Sequence, residues 1–324
     1  MIRKDRTGRI ASWAHRHPLL IGDVPVSLVS IRLVQRFLEV RVMGLSAEMT
    51  YYALLSIFPL IGALGASLGF LERLIGTAAV EDVEATIISG LATVFSTEVT
   101  NEIVTPMVQG LLQQERAGFA VGSFLVSLFL ASRVFRSAID TLDAAYHVEE
   151  RRSTVALWTL GFLFSLGAIL TATAVLSMVV VGPLLGGGRM IGEMLRLGRA
   201  FEFLWEIARW PTVFIIATGF LTVLYRTGPN VRNSWRQSYP GAVFGMFALI
   251  LVAIGFRFYL EVVGTGAPGL AEAEEAVNIA AQAFGAVLAA LLWLWLSAMA
   301  ILTGGVFNAE LSRVKDEIPA QLVR

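Results

Sequence analysis

The stretch Gly44 to Leu71, GLSAEMTYYALLSIFPLIGALGASLGFL, constrains the fold of this chain more than any other. It is long and apolar enough to cross a bilayer, for which about 20 residues suffice. Its first half nevertheless carries Glu48, Tyr51, Tyr52 and Ser56, followed by Pro59. On a helix Glu48, Tyr52 and Ser56 fall at i, i+4 and i+8 and make one polar stripe on an apolar rod. Such a stripe is costly against lipid, so it is expected to face a protein interior or a water-filled cavity. Pro59 removes a backbone donor and invites a kink halfway across. The other hydrophobic segments are expected to close around this stripe.

Composition points the same way. Hydrophobic residues make up 56% and charged residues 15% of 324, against roughly 45–50% and 25% in soluble domains. One membrane domain is expected rather than two globular ones. The net charge of zero carries no partner signal. With no cysteine there is no disulfide framework, thiolate nucleophile or cysteine metal site, and the histidines are limited to His15, His17 and His147. The first 17 residues are polar and basic, and the apolar run after them is broken by Gly22, Asp23 and Pro25, which does not read as a signal peptide. His15-Arg16-His17 could contact a metal or phosphate, but a solvated basic tail is the simpler reading. In the following segment, VPVSLVSIRLVQRFLEVRV, apolar positions alternate with Arg32, Gln35, Arg36, Glu39 and Arg41 at helical period. This predicts an amphipathic helix in the membrane interface, basic residues on its wet face, with a partner-protein helix as the alternative.

The fold class expected is all-α, a polytopic membrane helix bundle. Residues 1–44 form a cytoplasmic arm with the interfacial helix, 45–310 the membrane domain and 311–324 a cytoplasmic tail. Six transmembrane helices are expected at about 45–71, 118–139, 155–181, 210–225, 240–262 and 281–306. Six spans put both termini on one side. With the termini inside, the inside pieces hold 18 of the 25 basic residues, and the outside loops hold 13 of the 25 acids. The positive-inside rule therefore places both termini in the cytoplasm. Residues 72–117 are acidic, with apolar residues at helical spacing, and predict a small helical extracytoplasmic cap. Residues 186–209 read as a second interfacial helix, and 264–278 as a loop with a short helix.

Several constellations stand out at span ends. In SRVFRSAIDTLDAAYHVEERR, the residues Arg133, Arg136, Asp140, Asp143 and His147 recur at steps of three and four and share one helical face. They form either a solvated salt-bridge face, pairing Arg136 with Asp140 and Asp143 with His147, or the cytoplasmic mouth of a polar cavity shared with Glu48. In LYRTGPNVRNSWRQSYPGA, Pro229 and Asn230 make a turn, and Arg226, Arg232 and Arg236 crowd a tight connection. These arginines either set topology or offer planar forks of donors to anionic headgroups. Trp235 and Tyr239 suit an interfacial belt. Gly241 and Gly245, with Thr303, Gly304 and Gly305 in the sixth span, predict close helix packing. Asn308 and Glu310 follow, within expected reach of the loop arginines. Arg257 and Glu261 stand at i, i+4 and are expected to pair.

Together GLSAEMTYYALLSIFP, SRVFRSAIDTLDAAYHVEERR, LYRTGPNVRNSWRQSYPGA and FGAVLAALLWLWLSAMAILTGGVFNAEL resemble, in order and over about Val26 to Leu311, the YihY/BrkB family of multi-pass inner-membrane proteins. This chain departs modestly from the family pattern at Met49-Thr50 before Tyr51-Tyr52, at Asp143 where Asn is frequent, and at Phe284 where a tyrosine is usual. The resemblance implies a bacterial inner-membrane location. It does not settle activity, because relatives have carried ribonuclease, serum-resistance and lipid-export labels. A ribonuclease needs metal-bound or acid–base chemistry and a basic surface for phosphates. The residues offer no clustered histidines and no soluble domain, so no enzymatic activity, metal, cofactor or nucleic-acid partner is expected.

The leading expectation is a transporter or flippase-like carrier of an anionic amphiphile or lipid. Its polar cavity would be lined by Glu48, Tyr52, Ser56, Pro59, Arg133, Arg136, Asp140 and Asp143, with Arg226, Asn230, Arg232, Arg236, Asn308 and Glu310 at its cytoplasmic end. Membrane lipids with anionic headgroups are the expected partners. The glycine-rich spans permit a homo-oligomer without requiring one. The alternative is a cell-envelope scaffold whose cap binds a partner. An intramembrane enzyme built on Glu48 and Asp140 is a third reading, with nothing to place those carboxylates together.

Overall fold

A computed structural model describes residues 20–21, 24–75, 117–181, 198–266 and 275–322, with isolated positions between 85 and 106. The basic tail with His15 and His17, nearly all of the expected cap at 72–117, and residues 186–197 and 267–274 lie outside the described residues. A two-residue antiparallel pair, β1 (Leu20–Ile21) with β2 (Val24–Pro25), stands first among the described residues and was not expected from the sequence. Among the described residues seven helices follow: α1 (Val26–Glu39), α2 (Val42–Ile75), α3 (Ala117–Tyr146), α4 (Thr154–Leu176, prolonged by a π turn at Ser177–Val181), α5 (Gly198–Thr227), α6 (Trp235–Gly266) and α7 (Glu275–Leu322). The last six are long and apolar enough to cross a membrane.

The helices exceed the spans in predictable ways. A polar flank continues a helix when nothing breaks it, and only the apolar part need match the bilayer. Thus residues 198–209, expected in a separate interfacial helix, are continuous with the span in α5. Likewise α7 runs 48 residues without interruption. Pro59 lies inside α2, which continues past it. Large apolar side chains such as Leu125, Leu163, Ile215, Leu251 and Leu288 point outward, as lipid-facing surface does.

The chain forms two compact units: Met1–Ala47, Phe135–Val252 and Ser297–Arg324; and Glu48–Val134 and Ala253–Leu296. In the first unit, Ile139, Leu142, Phe164, Leu221, Leu224, Tyr225 and Ala242 build the core from α3, α4, α5 and α6. Lipid is as apolar as leucine, so close packing rather than escape from water holds such helices together. The glycines expected to serve this purpose do so. A Cβ on Gly241 would lie 2.5 Å from the Gly304 carbonyl oxygen, and one on Gly304 would lie 2.8 Å from that of Gly241. Only glycine lets α6 and α7 approach this closely. Phe244 and Phe307 stack beside the crossing with centroids 4.5 Å apart. The Tyr225 hydroxyl enters the same slot and donates to the Ile301 carbonyl at 2.5 Å.

Amphipathic α1 docks Leu28 and Val29 against Leu311 and Val314 of α7. Its arginines do not all face water as expected. Arg32 pairs with Glu317 at 2.7 Å, and Arg36 donates to the Ala144 and Ala145 carbonyls at the end of α3. These are orphan carbonyls at the negative pole of a helix, a natural seat for a guanidinium. Val34 and Leu38 are left on the exposed face.

In the second unit, Gly62 of α2 accommodates the Phe119 ring of α3, and Ser127 donates to the Ser56 carbonyl at 2.9 Å. Phe256 of α6 meets Trp293 of α7 at 5.1 Å.

Candidate functional site

In the second unit the polar stripe of α2 is partly engaged. Arg133 of α3 donates to the Tyr52 hydroxyl at 2.9 Å and lies 5.0 Å from the centre of its ring. Ser56 donates back to the Ala53 carbonyl at 2.7 Å, the local bond that lets a hydroxyl live in an apolar helix. Glu48 is exposed and has no partner among the described residues.

In the first unit the candidates sort into three places. One is a clip between the α3–α4 and α5–α6 connections. Asp143, 5% exposed, accepts from the Asn230 backbone N–H at 2.6 Å. Asn230 donates its amide to the Glu149 carbonyl at 3.2 Å. Arg152, which sequence reasoning passed over, makes bidentate contact with Glu150 and donates to the Thr227 and Gly228 carbonyls at 3.2 and 2.7 Å. It thus caps the C-terminus of α5 with charge of the favourable sign. Asp143 is engaged with Asn230 and, at 3.8 Å, with Arg152, rather than with His147 as its spacing allowed. Burial alone would raise the Glu150 carboxyl, but its hydrogen bonds and charge contact with Arg152 together hold it below the usual range. His147 terminates α3 at a left-handed φ of 57°, with the Val148 N–H closing on the Asp143 carbonyl at 3.0 Å. Burial, then the charges of Arg36 and Arg313, push its imidazole below the ordinary value.

The second place is a buried knot. Asn308 is fully buried and accepts from the Gly241 N–H at 2.9 Å. Its amide nitrogen and the Tyr146 hydroxyl meet no partner at full hydrogen-bond geometry, although that hydroxyl faces the amides of Asn233 and Asn308. Glu310, 2% exposed, meets Arg313 of its own helix at 3.5 Å and faces the charges of Arg32 and Arg36. Asn308 and Glu310 were expected to reach the arginines of the α5–α6 loop. Those positions instead face the α6 backbone and α1, because residues two apart on a helix look in different directions.

At the third place the remaining cationic candidates rest on aromatic rings or stand exposed. Arg136 lies 4.5 Å from the centre of the Trp158 ring, and Arg226 lies 4.2 Å from that of Trp235. Neither forms an ion pair with another described residue. Arg232 and Arg236 are exposed, as is Asp140. An open groove of about 380 Å³ is lined by Thr222, Trp235, Arg236 and Tyr239. The sequence placed Trp235 and Tyr239 in an interfacial belt, and the groove they line was not read from it. Among the described residues no three His, Asp or Glu side chains gather closely enough to hold a metal.

The family described as Virulence factor BrkB matches residues 33–322. The chain belongs to the BrkB family. A BrkB-type relative named as ribonuclease-like, YfkH of Bacillus subtilis (strain 168), is 24% identical over 277 residues, covering 85% of this chain and 92% of its own length. No solved structure matches the chain. A BrkB-family membrane protein with six apolar helices is what fold and comparison agree on.

Proposed function

We propose that this BrkB-family protein is a carrier of an anionic amphiphile in the bacterial inner membrane, with both termini in the cytoplasm. The observation that carries the reading is the way Arg136 and Arg226 are held. Arg226 stands in the last turn of α5 and Arg136 in the second half of α3, and both rest on tryptophan faces. A guanidinium at membrane depth is expensive unless compensated. A carboxylate would cancel its charge, whereas an indole face supports the cation and leaves its field available. Arg232 and Arg236 add exposed positive charge to the same connection. An amphiphile with a negative head would enter at this end while its tails stay in lipid. Glu48, Tyr52, Ser56 and Arg133 would serve the polar path along α2 and α3.

A second reading has its own support. Asp143, Asn230 and Asn308 are consumed by structural bonds. A scaffold of the cell envelope needs such locks and no mobile path. We also propose that the protein does not cleave RNA, since acid–base or metal chemistry would need groups gathered at one place.

Protein reconstituted into liposomes with headgroup-labelled anionic lipids tests the carrier directly. Protein-dependent translocation is expected, slowed at least about tenfold by Arg136→Gln with Arg226→Gln if each contributes on the order of 1 kcal/mol. Absence of translocation across a panel of anionic lipids, with a stoichiometric partner recovered by crosslinking, would move the assignment to the scaffold.

A further inference from the structure

Building on the carrier reading, we propose that the groove at the α5–α6 turn seats the phosphate of an anionic phospholipid, gripped by Arg226 and Arg236, with the lipid's apolar part leaving along Trp235 and Tyr239.

The groove lies where a lipid phosphate lies. Two span-length helices, α5 and α6, are joined by residues 228–234 alone, so their ends sit at the boundary of the apolar layer. Trp235 and Tyr239 are 52% and 56% exposed there. Amphipathic rings of this kind favour the headgroup level. The volume of about 380 Å³ falls at the lower end of small-ligand sites, which run from about 300 to 1,000 Å³. It holds a phosphate and part of a glycerol, and its open side leaves the chains in the bilayer.

Arg236 lines the groove, and Arg226 lies beside it over the Trp235 ring. Arg226 spends its Nε on the Asn233 carbonyl at 3.4 Å, and its guanidinium carbon lies over the Trp235 ring at 4.2 Å from the centre. Its two terminal nitrogens have no partner among the described residues, and neither does Arg236. A planar fork of donors fits phosphate oxygens in pairs. Thr222 spends its hydroxyl proton on the Thr218 carbonyl at 2.7 Å, so it contributes a wall and no donor of its own. From Ile207 to Leu260 the sequence contains five arginines and no acid. Asp143 and Glu150, the carboxylates that meet the residues of this connection, are engaged by Asn230 and Arg152. The first turn of α6 adds backbone N–H groups of favourable polarity behind a Ser234–Gln237 reciprocal cap. A soluble anion would satisfy the arginines but leave both aromatic walls bare. A lipid covers them, and that decides between the two.

The test uses the full-length protein in phosphatidylcholine nanodiscs doped with phosphatidic acid, with bound lipid counted by native mass spectrometry after release. Wild type is expected to retain one phosphatidic acid. Arg226→Gln with Arg236→Gln should weaken retention at least about tenfold, as loss of charge-assisted bonds implies. Lysine at both positions should restore part of it. Trp235→Ala should weaken retention without removing a charge, which a purely electrostatic surface would not show. Arg257→Gln, which alters an exposed pair with Glu261, should match wild type. Unchanged elution and helical content certify each variant as folded. Equal retention by wild type and the folded double variant overturns the site, as does binding of inorganic phosphate alone with the same affinity and the same arginine dependence. Retention at the groove without lipid translocation keeps the site and removes the carrier reading. Translocation with arginine-independent retention does the reverse.

Discussion

At the scale of single residues, the tightest constraint is where α6 and α7 touch. A Cβ on Gly304 would lie 2.7 Å from the Tyr225 hydroxyl and 2.8 Å from both the Gly241 carbonyl oxygen and the Gly245 Cα. Two of these neighbours are backbone and cannot rotate away. Gly304→Ala is therefore expected to destabilise the protein by about 1–3 kcal/mol, the range for overpacking a filled core. Asn308→Ala acts through a different cause. It strips the buried Gly241 N–H of its acceptor, which costs about 1–3 kcal/mol. The two changes meet at Gly241, so their effects should not add. Thermal unfolding in one detergent, single variants against double, checks both. Additive losses would show that the crossing is not one packed unit. The glycine pairs were legible as small residues at helical spacing. Asn308 was legible only as a polar residue near a span end, because its partner is a backbone group that no side-chain pattern announces. Arg152 was missed for the same reason. Four of its bonds are local to Glu150, and its long-range hydrogen bonds go to the Thr227 and Gly228 carbonyls.

At the scale of elements, apolar run length and polar interruption located the helices, since both are properties of the chain alone. Two things were not local. The flank 198–209 joins its span because nothing between them breaks a helix, and α1 turns two arginines inward because α3 and α7 offer acceptors there. That docking has a pH consequence. His147 sits beside Arg36 and Arg313, with Glu39 as the opposing charge, and its folded pKa is depressed. The unfolded chain therefore takes up the proton first. Stability is full above the unfolded value of about 6.5 and falls as pH drops from there toward the folded pKa. Glu150 works in a lower window. Its folded pKa is held below the ordinary glutamate value, so its contribution is present above that value and is lost as pH falls through the folded one. Melting temperature should decline in two steps on acidification. His147→Gln should remove the upper step and Glu150→Gln the lower. A curve flat between pH 7 and 5 in the wild type would refute the first. Arg36→Gln should release α1 and reduce amide protection of residues 26–39 while leaving α4 protected.

At the scale of the whole molecule, the six spans and the charge distribution make a claim about sidedness. Eighteen of 25 basic residues lie in residues 1–44, 133–154, 226–239 and 305–324, which are the arm, the helix ends and turns around the α3–α4 and α5–α6 connections, and the tail. Cytoplasmic loops retain such charge during insertion. The sequence contains no cysteine, so a single introduced thiol reports one position without background. Arg151 and Lys315 are exposed, and Glu261 is exposed at the other end of α6 from the arginine-rich turn. With both termini inside, Glu261→Cys should react with a membrane-impermeant maleimide in intact spheroplasts, whereas Arg151→Cys and Lys315→Cys should react only after lysis. The opposite pattern would invert the protein. It would put the Arg226–Arg236 groove on the outer leaflet and turn any carrier activity into capture from outside. Labelling of Arg151 and Lys315 on different sides would break the even number of spans. Sidedness thus decides which leaflet supplies a lipid to the groove, which no contact within the bundle determines.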